Sequence, residues 1–392
     1  MSVSLRRKTD MVKQVIILGG HIQALGLARQ TADLGIPVIL FIEDGYSVAR
    51  YSRTVKRTVV TGSEERLSDF LREYEDTDTM LFPTADNYVN YLAAHYVELK
   101  QHFIVGIPDP ETVALFGDKR RTYQFAEQTG IAHPKSWYPE TLSDVEQIGN
   151  TAEFPLVVKP SVMYDFHRMF GKKAYRCDTK RELLERCRMI AERMPLSGLV
   201  IQEFLSGGAR TLFSFGTFAI NGEPEAWIQA NRIRQNPMDF GNSTTFALTC
   251  NIPEIERSAR TILKRTNYTG LAEVEFMYDE QAGVYKFLEI NTRAWKWHSI
   301  STGLGFGFLS EWIHWLNGEP GDFTPSGRSM AWVERLTDLT IIVKETLKGK
   351  MNPFKALSTY CQKKVNAVWE LNDPMPTVMY LILSPILFIK RH

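Results

Sequence analysis

The sequence predicts a mixed α/β and α+β protein, with a parallel-sheet domain first and a larger region of antiparallel hairpins after it. Two observations carry this expectation. Residues 13 to 18, KQVIIL, form an apolar run ending in Gly19-Gly20. A helical pattern follows, with Leu25, Ala28, Ala32 and Leu34 on one face and a stop at Gly35, and then a second apolar run from Pro37 to Ile42. Strand, glycine turn, helix and strand in that order build parallel sheet through a right-handed crossover. Further along, strand-like runs are joined by short glycine-containing turns, at Asn221-Gly222 and at Asp279 to Gly283, the pattern of antiparallel hairpins. A chain of 392 residues has room for two or three domains.

With 44% hydrophobic and 23% charged residues the chain reads as a soluble globular protein, and a net charge of +1 gives no nucleic-acid signature. Cys177, Cys187, Cys250 and Cys361 lack CxxC spacing, so buried or incidental thiols are expected. The first ten residues are polar and basic, with no apolar segment for a signal peptide. No run reaches the roughly 18 apolar residues of a spanning helix, and the expected location is cytoplasmic.

In the first domain the glycines fall as Gly-Gly-x5-Gly (Gly19, Gly20, Gly26), not GxGxxG, so turning and close packing explain them first. Glu43-Asp44 after the second strand would suit a ribose, which keeps an NAD(P)-dependent oxidoreductase as an alternative function. A strand at Met80 to Phe82 ends at Pro83, and Asp86 either caps the next helix or holds a substrate amine beyond the strand. Residues 106 to 118 read as a linker, and a helix is expected from Asp118-Lys119 to Gly130. Lys159 stands among apolar residues in a strand at 154 to 160. A buried lysine needs an anion, and a nucleotide phosphate is a natural one. An amphipathic helix at 181 to 194 and a strand at 199 to 208 follow. Beyond Asn221-Gly222, Arg232 and Arg234 run into a Pro/Gly loop, as an anion site or a charged strand edge. After a helix at 253 to 265 and the last hairpin, Trp295 and Trp297 either wall a substrate or pack the core, and His298 reads as structural.

The stretch from Leu271 to Arg293 carries the chemistry. Side chains alternate along a strand, so Val274, Phe276 and Tyr278 share one face and Glu273, Glu275 and Met277 the other. On the return strand Leu288 and Ile290 face one way, Glu289 and Asn291 the other. With both apolar faces in one core, Glu275, Glu289 and Asn291 converge. Carboxylates held that close repel unless a cation lies between them, and hard oxygen donors suit Mg²⁺. Arg293 stands where it can clamp a phosphoryl oxygen. A solvated acidic surface hairpin would show the same alternation.

The order Glu275, then Glu289-x-Asn291-x-Arg293, resembles the metal-binding end of ATP-grasp enzymes, most closely the carboxylate–amine ligase branch related to carbamoyl-phosphate synthase. Asp118-Lys119, Val158-Lys159-Pro160 and Gln202-Glu203 are similar to further stretches of that family, and the resemblance spans about residues 14 to 320. It implies an ATP-grasp fold behind a Rossmann-like parallel-sheet domain. The implied boundaries are 1–110, 111–325 with a hinge near 199–208, and a C-terminal extension at 326–392. It also implies two Mg²⁺, with Mn²⁺ as a substitute, held on ATP by Glu275, Glu289 and Asn291. Lys119 and Lys159 would hold the nucleotide phosphates, and the hinge would hold adenine with Glu203 beside it and Phe204 and Leu205 as walls. Arg293 would steady the transferring phosphate, and Arg232 would contact phosphate or the substrate carboxylate. The sequence departs at Thr292, where many relatives have Pro. It departs again at 161 to 174, where relatives have a glycine-rich lid. Here only Gly171 stands among Tyr164, Phe166, Met169 and Phe170, with His167, Arg168, Lys172 and Lys173 left for phosphate contacts.

The implied function is an ATP-dependent carboxylate–amine ligase that acts through an acyl phosphate and releases ADP and phosphate. A non-catalytic nucleotide-binding regulator is the remaining alternative. The implied partners are small-molecule or peptide carboxylate and amine substrates, not nucleic acid; a homodimer is compatible with the sequence. Lys344 to Lys364 holds six lysines and one acid, Glu345, and Val378 to Ile389 is almost wholly apolar, broken by Ser384-Pro385. About twelve residues span about 18 Å as helix, short of a hydrocarbon core of about 30 Å. The tail is therefore either an interfacial anchor at the inner face of a membrane or a segment packed on the body or on a second subunit.

Overall fold

The computed structural model describes residues 11–60, 65–75, 78–162, 164–238, 241, 243–319, 323 and 327–391. The expectations for the first ten residues, for the side chains of Tyr164 and His167, and for the tail side chains beyond Ile386 lie outside the described residues.

Five parallel strands, β1 (Gln14–Leu18), β2 (Val38–Ile42), β3 (Val55–Val60), β4 (Thr79–Pro83) and β5 (Phe103–Val105), lie in the order β3-β2-β1-β4-β5. The three middle strands are almost wholly buried, as strands covered on both faces are. The glycines after β1 serve packing. A Cβ on Gly19, whose φ is +107°, would collide with Thr84, and one on Gly20 with Ser47. A Cβ on Gly26 would lie 2.9 Å from the His298 ring. Gly26 sits in the helix Ile22–Asp33, which docks this domain against the segment His298–Leu304. The expected linker at 106 to 118 is largely a helix, Pro110–Gly117. Asp109 caps it through the Thr112 amide (3.0 Å), and Pro110 fills its first position.

A smaller antiparallel sheet contains β6 (Ser136–Trp137), β7 (Leu156–Pro160), β8 (Tyr175–Cys177) and β9 (Leu199–Glu203), in the order β6-β9-β7-β8. The helices Leu142–Thr151 and Lys180–Ala191 pack on it through Val145, Leu183, Cys187 and Ile190. Between β7 and β8 the chain forms a helix, Tyr164–Phe170. Phe166 is buried there against Phe170 and Tyr175, with ring centroids 4.7 and 6.1 Å away. Phe166 and Phe170, standing in place of lid glycines, thus pack into a core.

The largest sheet holds β10 (Leu212–Ile220), β11 (Glu223–Asn236), β12 (Ser243–Cys250), β13 (Gly270–Asp279), β14 (Val284–Asn291), β15 (Ala331–Val333) and β16 (Lys364–Asn366). Its order is β14-β13-β10-β11-β12-β15-β16, and β15–β16 is its parallel pair. Asn221 and Gly222 both have positive φ, +49° and +85°, as the expected two-residue turn between β10 and β11 requires.

The C-terminal extension is woven into this sheet through β15 and β16. Arg234, expected at an anion site or strand edge, instead donates twice to Asp338, at 2.9 and 2.8 Å, and both side chains are buried. The hydroxyls of Thr245 and Tyr360, each at 2.8 Å, complete the carboxylate's shell. Asp373, also buried, accepts from Arg29 (3.0 Å), the Ser52 hydroxyl (2.6 Å) and the Arg53 amide (3.0 Å). The tail is a helix, Met375–Arg391, with Tyr380 and Leu383 buried and Tyr380 donating to Glu334 at 2.6 Å. Among the described residues, no helix is long and apolar enough to cross a membrane.

Removing one member of a buried ion pair strands the other charge. Asp338→Ala is expected to cost about 3–5 kcal/mol in urea unfolding. A loss below about 1 kcal/mol, the range of an exposed pair, would show that this link does not hold the extension to the sheet.

Candidate active site

On β13 and β14, Glu273 stands opposite Asn291, Val274 opposite Ile290, and Glu275 opposite Glu289. Val274, Phe276, Phe287 and Ile290 share one core cluster with Ile255, Ala259, Ile262 and Leu263 of the helix Pro253–Arg265. This buries the apolar face and turns the acids to the other. Strict alternation fails at one position. The register shifts after Glu275, from Glu289 to Phe287, so Leu288 is an extra residue and Phe287 takes the core place expected for it.

Three carboxylates, not two, lie on the acidic face, and each is neutralised. Arg232 on β11 is buried and donates through Nη2 to Glu273 (2.9 Å) and to Glu275. Asn291 Nδ2 bridges Glu273 (2.9 Å) and Glu275 (2.8 Å), and Trp297 Nε1 donates to Glu273 at 2.8 Å. Lys119, first residue of the helix Lys119–Gln128, meets Glu289 at 3.0 Å. Asp118 caps that helix through the Arg120 amide (2.8 Å) and accepts from Ser161 (2.6 Å), the residue after β7. Burial pushes Glu275 up to about 8 against the pull of Arg232. The Lys119 ammonium holds Glu289 down at about 2, with Lys159 and Arg232 pulling the same way. Glu289 is thus the ionised, solvent-accessible carboxylate of the opposed pair, and Glu275 the buried one.

Arg293 donates to Asp86 at 2.6 and 3.2 Å and to Asn291 Oδ1 at 3.2 Å. Asp86 opens the helix Asp86–Ala94 without capping it, because its carboxylate is turned to Arg293. Lys159 on β7 contacts the Tyr123 hydroxyl (2.9 Å) and Gln202 (2.7 Å), and Tyr123 donates to the Leu288 carbonyl at 2.8 Å. Glu289 also bears on Lys173, from the segment expected to be a lid; burial holds that ammonium below its ordinary range.

At the expected hinge, Glu203 accepts from the Lys135 amide (2.9 Å) and pairs with Lys286 of β14. The amides of Glu203 and Phe204 donate to the carbonyls of Lys135 (3.0 Å) and Pro155 (3.1 Å). The Arg176 guanidinium lies 4.3 Å over the Phe204 ring, and Leu205 is half-buried. Trp295 and Trp297 are buried core residues, not a substrate wall, and His298 is buried with Nε2 3.1 Å from the Gln23 carbonyl.

Tyr123 was not singled out from the sequence, and Glu273, Gln202 and Trp297 were named there without these contacts. The alternation marks only Glu273, which shares a face with Glu275. Two opposed carboxylates and an amide form a hard donor set that fits a divalent cation. Arg232 and Lys119 mark where positive charge is demanded, and the Asn291 amide would turn over to present its oxygen. Among the described residues no group of three or more His, Cys, Asp or Glu could hold a metal ion unaided, so phosphate and water oxygens would complete the shell.

Residues 238–308, which contain this hairpin, match the family described as carbamoyl-phosphate synthase L chain, ATP binding domain. The D-aspartate ligase of Enterococcus faecium (strain Aus0004) is 24% identical over 306 residues, 71% of this chain and 70% of that protein. The biotin carboxylase domain of 2-oxoglutarate carboxylase from Hydrogenobacter thermophilus, solved with MgADP and bicarbonate, has the same fold. The likeness has a TM-score of 0.63 at 16% identity, over 81% of this chain and 72% of that one. The chain has the ATP-grasp fold. Another ATP-grasp structure, N5-carboxyaminoimidazole synthetase from Staphylococcus aureus, matches with a TM-score of 0.59 at 14% identity, over 75% of this chain and 74% of that one.

Glu289→Gln is expected to lower turnover by about a hundredfold or more, and, because it breaks the pair with Lys119, to lower the urea midpoint while the chain stays folded. Glu275→Gln should raise the Mg²⁺ concentration needed for half-maximal rate. Near-normal turnover of both purified variants would remove the hairpin from the chemistry.

Proposed function

We propose that the chain is an ATP-dependent ligase that activates a carboxylate as an acyl phosphate and joins it to an amine, releasing ADP and phosphate. The observation that carries this reading is the direct opposition of Glu275 and Glu289, with Asn291 and Arg293 beyond them and the charges of Lys119, Lys159 and Arg232 converging on Glu289. Phosphoryl transfer asks for positioning and charge neutralisation more than for a protein nucleophile. A site built of carboxylates, an amide and cations answers that requirement.

Bound Mg²⁺, one ion or two and replaceable by Mn²⁺, would neutralise the nucleotide phosphates from Glu275, Glu289 and Asn291. Lys119 and Lys159 hold phosphate oxygens, and Glu203, Phe204 and Leu205 border the nucleotide. Arg293 leaves Asp86 to follow the moving phosphoryl group. Asp86, once released, is an acceptor for the ammonium of the incoming amine. Arg232 acts from beneath, holding Glu273 and Glu275 in place, because its buried guanidinium is committed to them. The likeness to a D-aspartate ligase makes amino acids with a second carboxylate the first acids to test, with small-molecule and peptide amines as acceptors.

An NAD(P)-dependent oxidoreductase is disfavoured by the packed turn at Gly19-Gly20, which Thr84 and Ser47 fill. A non-catalytic regulator is disfavoured by the complete set of Glu275, Glu289, Asn291 and Arg293. The products decide. ADP and phosphate are expected, and with the correct acid and no amine, hydroxylamine should trap a hydroxamate. AMP with pyrophosphate would sink the acyl-phosphate mechanism.

A further inference from the structure

Large apolar side chains normally reach the surface singly. In the C-terminal extension they are concentrated. Leu347 and Phe354 are each 83% exposed and Leu371 82%, with Leu357 and Trp369 also exposed. On the helix Arg335–Leu347, Leu339, Val343 and Leu347 recur every four residues as an outward stripe, while Asp338, Ile341, Ile342 and Glu345 are buried. On the tail helix, Val378, Leu381, Ile382 and Ile386 face out while Tyr380 and Leu383 face in. The Tyr380 and Thr337 hydroxyls, 3.4 Å apart, make the two helices neighbours.

From Lys344 to Lys364 the exposed charge has one sign, while Glu370, between Trp369 and Leu371, is paired with Arg29 at 2.9 Å. Lys344, Lys348, Lys350, Lys355 and Lys363 are exposed. The single acid between Lys344 and Lys364, Glu345, is buried and paired with Lys348 at 2.8 Å. A second copy docked about a two-fold axis would present the same patch to itself and set lysines against lysines. An anionic lipid surface matches both components: apolar side chains enter the headgroup boundary and lysines meet the headgroups. With no spanning helix among the described residues, the extension would lie on such a surface and not cross it.

We infer that the C-terminal extension, through Leu339, Val343, Leu347 and Phe354 and the lysines beside them, docks this protein on an anionic lipid surface. This goes beyond the ligase reading and does not rest on it. The test is flotation of the full chain with vesicles of phosphatidylcholine alone and of phosphatidylcholine and phosphatidylglycerol in equal parts. Binding is expected to the mixed vesicles at low salt, with none to phosphatidylcholine alone. It should weaken about tenfold or more in about 1 M salt, where the Debye length is about 3 Å. The double variant Leu347→Asp, Phe354→Asp changes two side chains that lie almost wholly in solvent, so its urea midpoint should be unchanged. It should need about tenfold more lipid, or more, for half-binding. A full chain that stays unbound, equal binding to neutral vesicles, or a double variant that binds as well as the parent overturns the inference. So does a dimer in sedimentation velocity that the double variant dissolves, which would assign the face to a second copy.

Discussion

Negative charge crowded onto one face of an antiparallel strand pair is the constraint on which the site depends. Glu273, Glu275 and Glu289 lie at facing or alternate positions of β13 and β14, two of them buried. Carboxylates placed so cannot stay ionised together without cations and donors. The groups that answer them come from four separate parts of the chain: Arg232 from β11, Lys119 from the helix Lys119–Gln128, Asn291 from β14 itself, and Trp297 from the segment beyond it. Satisfying the charge therefore ties the hairpin to the middle of the large sheet and to the helix below the smaller one. Stability and chemistry share these contacts, because positive charge held near the acids is also positive charge near a phosphate.

Three bodies of structure meet at this point. Lys159 comes from the small sheet, and the hairpin supplies the acids and Arg293. The parallel-sheet domain supplies Asp86 from beyond the carboxyl end of β4, where ligands of open parallel sheets bind. Asp86 and Arg293 are 207 residues apart in sequence, and their bidentate contact closes the site from the first domain's side. A group that withdraws Arg293 from Asp86 also frees a carboxylate, so occupancy of the two positions is coupled.

The hairpin was legible because a two-residue period, a glycine-containing turn and a short acidic motif all agree there. The Asn221-Gly222 turn was legible for the same reason: its residue types match the left-handed backbone it needs. What could not be read depends on contacts made across the chain. Leu288 leaves the core because of a bulge set by pairing with β13, a matter of register and not of composition. Arg234 looked like a companion to Arg232; only the fold brings Asp338, 104 residues on, into contact with it. Tyr123 becomes a site residue only where Lys159 and the Leu288 carbonyl meet its hydroxyl. Phe166 and Phe170 broke the expected glycine pattern of a lid, and the reason, a helix with its own core, is tertiary.

The anchorage of Asp373 bears on how the chain is made. Its carboxylate completes a pocket formed by Arg29, Ser52 and Arg53, and the separation from Arg29 is 344 residues. Arg29 lies on the helix that follows β1, yet its counter-charges, Glu370 (2.9 Å) and Asp373 (3.0 Å), are more than 340 residues further along. During translation the amino-terminal sheet emerges first, and Arg29 has neither carboxylate until residues 370 to 373 have left the ribosome. Closing so long a loop is slow. Arg29 is in that sense a clasp between the amino-terminal sheet and the carboxylates of Glu370 and Asp373, and a nascent chain stalled before them lacks it.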